Sequence, residues 1–318
     1  MATAANLTYS GNKIADDFHN TIYDISPTDT PLLTMARRFK ATNTLHQWTY
    51  DALTAAGSNA ALEGADANPT ARAQPTTLGN YCQILKKEVS ISGTFEAVNK
   101  YGRKSEVAYQ TARMGKEIKR DLEYALVRNQ ASSAGGATTA RTMAGIESWI
   151  GGNRVLATGT TSGTTPGYSG GTVAAPTDGS TTAFVEADLR TALSLAWADG
   201  GDPSVLMMSA VNKAKFSAFT GVATRFNDVK GATSANIIAS ADVYVSDFGV
   251  HKAVLNRYQR DQAVLCLDPE HVGVGFLRPF SKDKLAKTGD SERFLIVAEA
   301  TLVVTNPNAH AKVMNVGG

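Results

Sequence analysis

The chain is poor in the residues that most often build metal and catalytic sites. Its 318 residues include only two cysteines, Cys82 and Cys266, and five scattered histidines, none with a histidine or cysteine three or four positions away. Zinc sites and disulfide frameworks need more closely spaced ligands. We therefore predict two reduced, partly buried thiols, no metal site and no cofactor.

Long hydrophobic runs and excess charge are also missing. No apolar run approaches the ~18 residues that span a bilayer, and the N-terminus lacks the basic-then-apolar pattern of a signal peptide. The formal net charge of +2 is too small to argue for binding to nucleic acid or membranes. A composition of 43% hydrophobic and 19% charged residues is typical of a globular chain. We expect a soluble, intracellular protein that does not contact membranes.

The motifs that resemble catalytic sites are incomplete. Residues 167–171 have the Gly-x-Ser-x-Gly form of a hydrolase nucleophile elbow, but no strand is predicted before Ser169 and no helix after it. Residues 268–271, DPEH, are better explained as a polar turn than as an acid–base or metal site. Residues 273–275 begin a GxGxxG-like pattern, but Arg278 occupies the third glycine position. We predict no enzymatic function, and a serine hydrolase using Ser169 is the minor alternative.

What the sequence does contain, near its N-terminus, is rigid local structure. Residues 24–33 are DISPTDTPLL, in which Ser26 and Thr30 precede Pro27 and Pro31. Serine and threonine are good helix N-cap residues, and proline is favoured at the first helical position because its missing N–H would be unpaired there. We predict an extended arm over residues 6–25, followed by a short helix over residues 31–39.

An alternating pattern follows the arm. In residues 44–50, TLHQWTY, the side chains of His46, Trp48 and Tyr50 share one face, which is typical of a strand. A second strand is predicted over residues 81–91. Hairpin loops usually have about 2–5 residues, whereas the connection here is far longer. We therefore predict a hairpin that projects from the body and finds its partner elsewhere.

The strongest helical pattern covers residues 105–129. The polar side of this helix carries Lys119 and Glu123, which lie one turn apart and are expected to form an ion pair. At ~1.5 Å per residue the helix would be about 38 Å long. The apolar side consists of residues spaced by three and four: Val107, Thr111, Met114, Ile118, Leu122 and Ala125.

The remaining chain predicts a mixed α+β fold. Residues 157–182 are rich in Gly, Ser and Thr and are predicted to be a loop or insertion. Three further helices are expected, over residues 145–150, 186–198 and 211–219. The predicted strands cover residues 204–208, 243–246, 252–256, 263–267, 294–297, 302–305 and 312–315. An arm, a projecting hairpin and a long helix without an active site suit a chain that binds copies of itself, because such extensions become ordered on assembly.

In order along nearly the whole chain, several segments resemble the major capsid proteins of tailed bacteriophages. The resemblance is to the group whose arm carries Ile-Ser-Pro-Thr-(Asp/Glu)-Thr-Pro. The matching segments are ISPTDTPLL (25–33), LEGADA (62–67), LGNYCQILKKEVSISGT (78–94), the helix region 98–130, ADGGDPSVLMMS (198–209) and AEATLVVTNPNAHAKV (298–313).

This resemblance implies a division of the chain and a function. The expected parts are an N-arm (1–43), an E-loop (44–95), a peripheral domain with a spine helix and the Gly/Thr-rich insertion (96–183), an axial domain (184–262) and a return to the peripheral sheet (263–318). The resemblance implies hexamers and pentamers that form an icosahedral head around double-stranded DNA. It also implies a virion protein assembled in the host cytoplasm, with a portal protein as partner. An encapsulin-type compartment shell is the alternative.

Two departures from the family shape the remaining expectations. Some shells of this fold are linked covalently through an E-loop lysine, but no lysine lies between Asp51 and Leu85. We therefore expect non-covalent stability or a separate cement or decoration protein. Because no long helical N-terminal extension is present, we also expect a separate scaffolding protein.

The candidate interface residues lie on the arm, the hairpin and the spine helix. Charged residues of the hairpin are the candidates for ion pairing at subunit rims, with the spine helix as a possible source of partners, and each rim pair is worth about 0–1 kcal/mol. The complete set is Pro27, Pro31, Trp48, Glu63, Asp66, Arg72, Arg113, Lys116 and Arg120.

Overall fold

The computed structural model describes residues 26–54, 56–64, 66, 71–72, 74–160, 163–164, 166–219, 243–287 and 289–317. The predicted arm over residues 6–25 lies outside them. The fold is α+β, as predicted, with one long helix and two larger sheets. Among the described residues, no helix is both long and apolar enough to cross a membrane.

The first helix is shorter than predicted. Helix α1 covers Pro31–Met35, with Pro31 in its first turn, and ends because Ala36 is extended. Strand β1, Arg37–Lys40, follows at once and pairs in parallel with β12, Val272–Lys284. The prediction of a helix to residue 39 was therefore wrong, because sheet pairing with a strand distant in sequence decides the conformation of these residues.

The predicted hairpin is built from a different pair of strands than predicted. Strand β2, Leu45–Tyr50, pairs with β3, Thr76–Tyr81, within the stretch assigned to the connection. The predicted strand over residues 81–91 is interrupted at Cys82, and the rest of it is β4, Gln83–Ser92. Strand β4 leaves the hairpin and pairs with β13, Ser291–Val304.

The spine helix, α3, covers Glu106–Val127 after the short helix α2, Gly93–Ala97. It begins where the Ser105 hydroxyl accepts the Ala108 N–H at 3.2 Å. Four residues of its predicted apolar side are buried, Met114, Ile118, Leu122 and Ala125, whereas Val107 and Thr111 are only half-buried. Glu123 corrects the prediction, because it is buried rather than paired with Lys119 at the surface.

Two larger sheets organise the molecule. The four-stranded sheet has the order β1-β12-β13-β4, and β13 joins the two strands predicted over residues 294–297 and 302–305. The six-stranded sheet has the order β5-β14-β11-β8-β10-β9. Its strands are Arg154–Leu156 (β5), Val205–Met208 (β8), Val243–Ser246 (β9), Gly249–Leu255 (β10), Ala263–Leu267 (β11) and Ala311–Met314 (β14). Strands on both sides of the expected domain boundary at residues 262–263 therefore belong to the same sheet.

The six-stranded sheet separates two hydrophobic cores. Alternate residues of a strand face opposite sides. Met207 accordingly joins the core around the spine helix, whereas Leu206 and Met208 join the second core with α5, Glu186–Ala198. Helix α6, Ala210–Ser217, contributes Phe216 to that second core.

The Gly/Ser/Thr-rich tract is not a free loop. It contains a small hairpin of β6, Gly167–Ser169, and β7, Thr172–Ala174. Tyr168 stacks on Trp149 of the short helix α4, Ile146–Trp149, with ring centroids 5.6 Å apart. Ser169 lies at the exposed end of β6 and no helix follows it, so the nucleophile-elbow geometry is absent.

Candidate assembly interface

A buried carboxylate joins α1 to the spine helix. Glu123 accepts the backbone N–H groups of Leu32 and Leu33, each at 2.8 Å. Its Oε1 also accepts the Asn256 side-chain N–H at 2.6 Å. Burial raises the pKa of Glu123, and the two backbone hydrogen bonds act in the opposite direction. The N-terminal N–H groups of α1 are thus satisfied from the spine helix, while the predicted cap at Thr30 makes no side-chain hydrogen bond.

Two prolines, Pro27 and Pro31, precede this joint. Residues 26–30 form no regular secondary structure, and Pro27 within them is half-buried. Pro31 opens α1, as predicted. Leu32 and Leu33 follow it and are buried in the core around the spine helix. The segment that follows the arm is therefore anchored on its own subunit.

A groove lies beside the joint. It has a volume of about 670 Å³ and is lined by residues of α1, the spine helix and β12. Leu33 and Ile118 form part of its floor, together with Phe276 and the partly exposed Phe280. Gly115 of the spine helix also lines it, and a side chain added there would meet open space. The surface is mostly apolar and concave.

Trp48 fixes the base of the hairpin to its own subunit. Its indole N–H donates to the Val304 carbonyl at 2.9 Å, and its ring centroid lies 5.5 Å from that of Trp149. Together with Tyr168, these rings form a cluster that connects β2, α4 and the β6–β7 hairpin. Trp48 is half-buried in this cluster, so its structural role is to orient the hairpin.

The hairpin loop beyond this base is exposed. Glu63, Asp66 and Arg72 are all at the surface, and none forms an ion pair with another described residue. Leu53 is 96% exposed and Leu62 is 86% exposed. Two leucines in this state leave most of their apolar surface in water.

The three basic candidates on the spine helix differ in their contacts. Arg113 lies 3.7 Å from Glu117 and above the Tyr109 ring, and Arg120 donates to the Tyr258 hydroxyl at 3.0 Å. Lys116 is exposed and has no ion-pair partner among the described residues. The structure brings none of them to the hairpin acids of the same chain.

The described residues hold no cluster of three metal-ligating side chains. Burial raises the pKa of the Cys82 thiol to about 11, with a further contribution from Glu299, and raises that of Cys266 to about 12. Such thiols stay protonated at neutral pH and are poor nucleophiles. The DPEH segment is a turn, as predicted, in which Asp268 accepts the Glu270 N–H at 2.9 Å.

Comparison with known proteins identifies the family of this chain. The sequence model of the SU10 major capsid protein family matches residues 2–317. The chain belongs to the SU10 major capsid protein family. The match confirms the resemblance inferred from the motifs. Because the family consists of phage shell proteins, the match does not favour the compartment-shell or the hydrolase alternative.

Individual similar proteins agree with this family assignment. The major capsid protein of Escherichia phage Phieco32 is 39% identical over 127 residues, which are 39% of this chain and 36% of that protein. A capsid chain of an empty GTA particle has a TM-score of 0.63 at 14% identity, covering 98% of each chain. A chain of Gordonia phage Cozz has a TM-score of 0.62 at 10% identity, covering 100% of this chain and 97% of that one. These two likenesses show the tailed-phage capsid fold.

Sequence reasoning missed one buried ionic network in this capsid protein. Arg260 donates to the carboxylates of both Glu147 and Asp178. Lys312 donates to the Glu147 backbone carbonyl at 2.7 Å, and burial lowers its pKa to about 8. The network ties the Gly/Ser/Thr-rich tract, through Asp178, to α4 and β14. No local pattern could reveal it, because its members lie far apart in sequence.

Proposed function

We propose that this chain is the shell-forming subunit of a tailed-phage head, assembling as hexamers and pentamers around double-stranded DNA. The observation that carries the proposal is the exposure of Leu53 and Leu62 on the hairpin loop, 96% and 86%. Fully burying a leucine side chain is worth about 1.5–3 kcal/mol. A neighbouring subunit that covers the loop would gain this free energy at every contact of the shell.

The division of the chain proposed from the resemblance gives the contacts. The E-loop, residues 44–95, would lie across a neighbouring subunit, and the N-arm, residues 1–43, would do the same. Glu63 and Asp66 carry the charge that suits Arg113 and Lys116 of a neighbouring spine helix. Each such pair is worth about 0–1 kcal/mol, so the shell depends on their multiplicity.

The prolines suit a joint at which the arm leaves its subunit. Pro27 and Pro31 restrict the backbone before docking, which reduces the conformational entropy lost when the arm becomes ordered. The spine helix holds the following residues through Glu123. A fixed joint would therefore give the arm a defined direction.

The proposed role is structural and not enzymatic. The subunit would be assembled in the host cytoplasm and would remain part of the virion. A separate scaffolding protein and a portal protein are the proposed assembly partners, and a cement or decoration protein would stabilise the finished shell. The E-loop carries no lysine between residues 51 and 85, which supports non-covalent stabilisation. Packaged DNA would be held by non-specific contacts, in line with the small net charge.

Electron microscopy of the purified protein, with and without its neighbouring gene products, tests the proposal. We expect closed shells that contain DNA when the packaging proteins are present. A small monomer or dimer under every condition would contradict the proposal, and particles filled with enzyme would support the compartment alternative instead.

A deletion of residues 1–31 tests the arm. We expect a folded core by circular dichroism and no shells by electron microscopy, and shells of normal yield would refute the role of the arm.

Ser169→Ala tests the non-enzymatic role. We expect unchanged particles, and an esterase activity that the wild type has and this variant loses would contradict the assignment.

A further inference from the structure

A second, polar cavity lies at the C-terminal end of the spine helix. Its volume is about 630 Å³, and it is lined by Arg128, by Ser209 and Ala210 at the start of α6, and by the loop of residues 256–262. Unlike the groove beside α1, it is lined mainly by polar and charged side chains. Shell assembly through the arm and the hairpin leaves this cavity without a role.

Two arginines at this cavity have no anionic partner among the residues that the structure describes. The Arg128 guanidinium stacks over the Tyr124 ring at 4.5 Å, and its buried Nε–H has no acceptor among those residues. Arg257 is exposed, and neither arginine forms an ion pair with another described residue. Two unpaired guanidinium groups at one cavity are typical of a site that binds an anion, because their planar N–H donors match its oxygens.

The nearby ionic network does not neutralise these arginines. Arg260 also lines the cavity, but its donors are used by Glu147, Asp178 and Gln262. With Lys312, that network holds two cations and two carboxylates. Of the other charged residues that line the cavity, Arg128 and Arg257 are cations and Asp261 is the single anion, which leaves an excess of one positive charge.

The start of helix α6 and one buried side-chain amide also favour an anion in this cavity. Helix α6 begins at the cavity after its N-cap Ser209, so its positive end and first N–H groups lie there. Gln259 is only 5% exposed and donates to the Ala263 carbonyl at 3.2 Å, and within the described part of the chain its Oε1 has no donor. Buried polar atoms without partners are rare and call for an explanation. Two of them, Arg128 Nε and Gln259 Oε1, occur in residues of this one cavity.

We propose that this cavity binds a phosphate group, held by Arg128 and Arg257 at the start of α6. Phosphate offers several acceptor oxygens to the two guanidinium groups and to the N–H groups of the helix. A phosphate that carries a proton also has an O–H donor that can complement Gln259. The phosphate group can come from free phosphate or a monoester, or from the backbone of packaged DNA.

Calorimetric titration of the full-length chain with sodium phosphate, in a phosphate-free buffer of low ionic strength, tests the site. We expect binding that weakens as salt is added. Arg257→Gln should lower the affinity about tenfold, as expected for losing a charge-assisted contact. Arg293→Gln is the matched control, since Arg293 is an exposed arginine on β13 of the other larger sheet. This control should bind phosphate as the wild type does.

Three results would overturn the proposal. They are no phosphate binding by the wild type, equal affinity in Arg257→Gln and Arg293→Gln, or equally strong binding of sodium acetate. A short DNA duplex, added as a competitor, identifies the source of the phosphate. Displacement of phosphate by the duplex supports the site with a DNA phosphate as ligand, and the lack of displacement supports it with free phosphate or a monoester.

Discussion

The carboxylate of Glu123 joins α1 to the spine helix through two backbone hydrogen bonds, and we predict that Glu123→Ala destabilises the folded chain by about 3 kcal/mol. The substitution leaves three donors without an acceptor: the N–H groups of Leu32 and Leu33 and the side-chain amide of Asn256. Each unsatisfied buried donor costs about 1–3 kcal/mol.

Two smaller effects adjust this magnitude. The lost methylene groups leave a small cavity, which adds to the destabilisation. In the opposite direction, the variant no longer buries a carboxylate, and the raised pKa of Glu123 shows that this burial opposes the charged form. Taking the lower end of the range for each donor and letting these two effects offset each other gives the value of about 3 kcal/mol.

Urea unfolding of the unassembled chain measures this difference. Glu117→Ala is the control. Glu117 lies on the same helix, but it is partly exposed and forms a surface ion pair with Arg113, at 3.7 Å. We expect the control to change the free energy of unfolding by less than about 1 kcal/mol. A Glu123→Ala variant as stable as this control would contradict the role of the carboxylate in holding α1 in place.

Three further predictions concern the interior. Burial lowers the pKa of Lys312 to about 8, so the unfolded chain binds this proton more tightly than the folded chain between pH 8 and 10.5. As the pH rises through that window, the free energy of unfolding of the wild type should increase by up to about 3 kcal/mol relative to that of Lys312→Met, measured by urea unfolding at each pH. Cys82 and Cys266, with pKa values raised to about 11 and about 12, should resist a thiol reagent at pH 8 until the chain unfolds, and rapid labelling of the folded protein would contradict their burial. Gly145→Ala should destabilise by at least about 2 kcal/mol in thermal unfolding, since an added Cβ would overlap the backbone carbonyl at the end of the spine helix. Gly136→Ala, where a Cβ meets nothing, should have little effect.

Local patterns predicted the longer helices well and the sheet pairing poorly. The apolar period of the spine helix and the Ser105 cap are contained within one stretch of sequence, so residues 105–129 predicted the observed Glu106–Val127 closely. Strand β12 was missed, because its Gly-rich start resembles a loop and its pairing depends on β1 and β13. The split at Cys82 was missed for the same reason, since β3 and β4 have partners in different sheets.

The same distinction applies to the candidate interface. Pro27, Pro31 and the exposed hairpin acids follow from composition and turn chemistry, which act locally. Glu123 looked like a surface residue because its neighbours on the helix are charged, and only the approach of α1 shows that it is buried. The polar cavity at Arg128 likewise depends on three segments that meet only in the folded chain.

Assembly through the hairpin loop is tested most directly by shell formation in a variant whose loop has lost its exposed leucines. Electron microscopy would compare wild type, the double variant Leu53→Ser with Leu62→Ser, and a control with Ala52→Ser and Ala60→Ser, which adds the same hydroxyls at exposed positions of the same loop. We predict closed shells from the wild type and the control and few or none from the leucine variant. Shells of normal yield and size from the leucine variant would contradict the claim that subunits assemble by burying this loop.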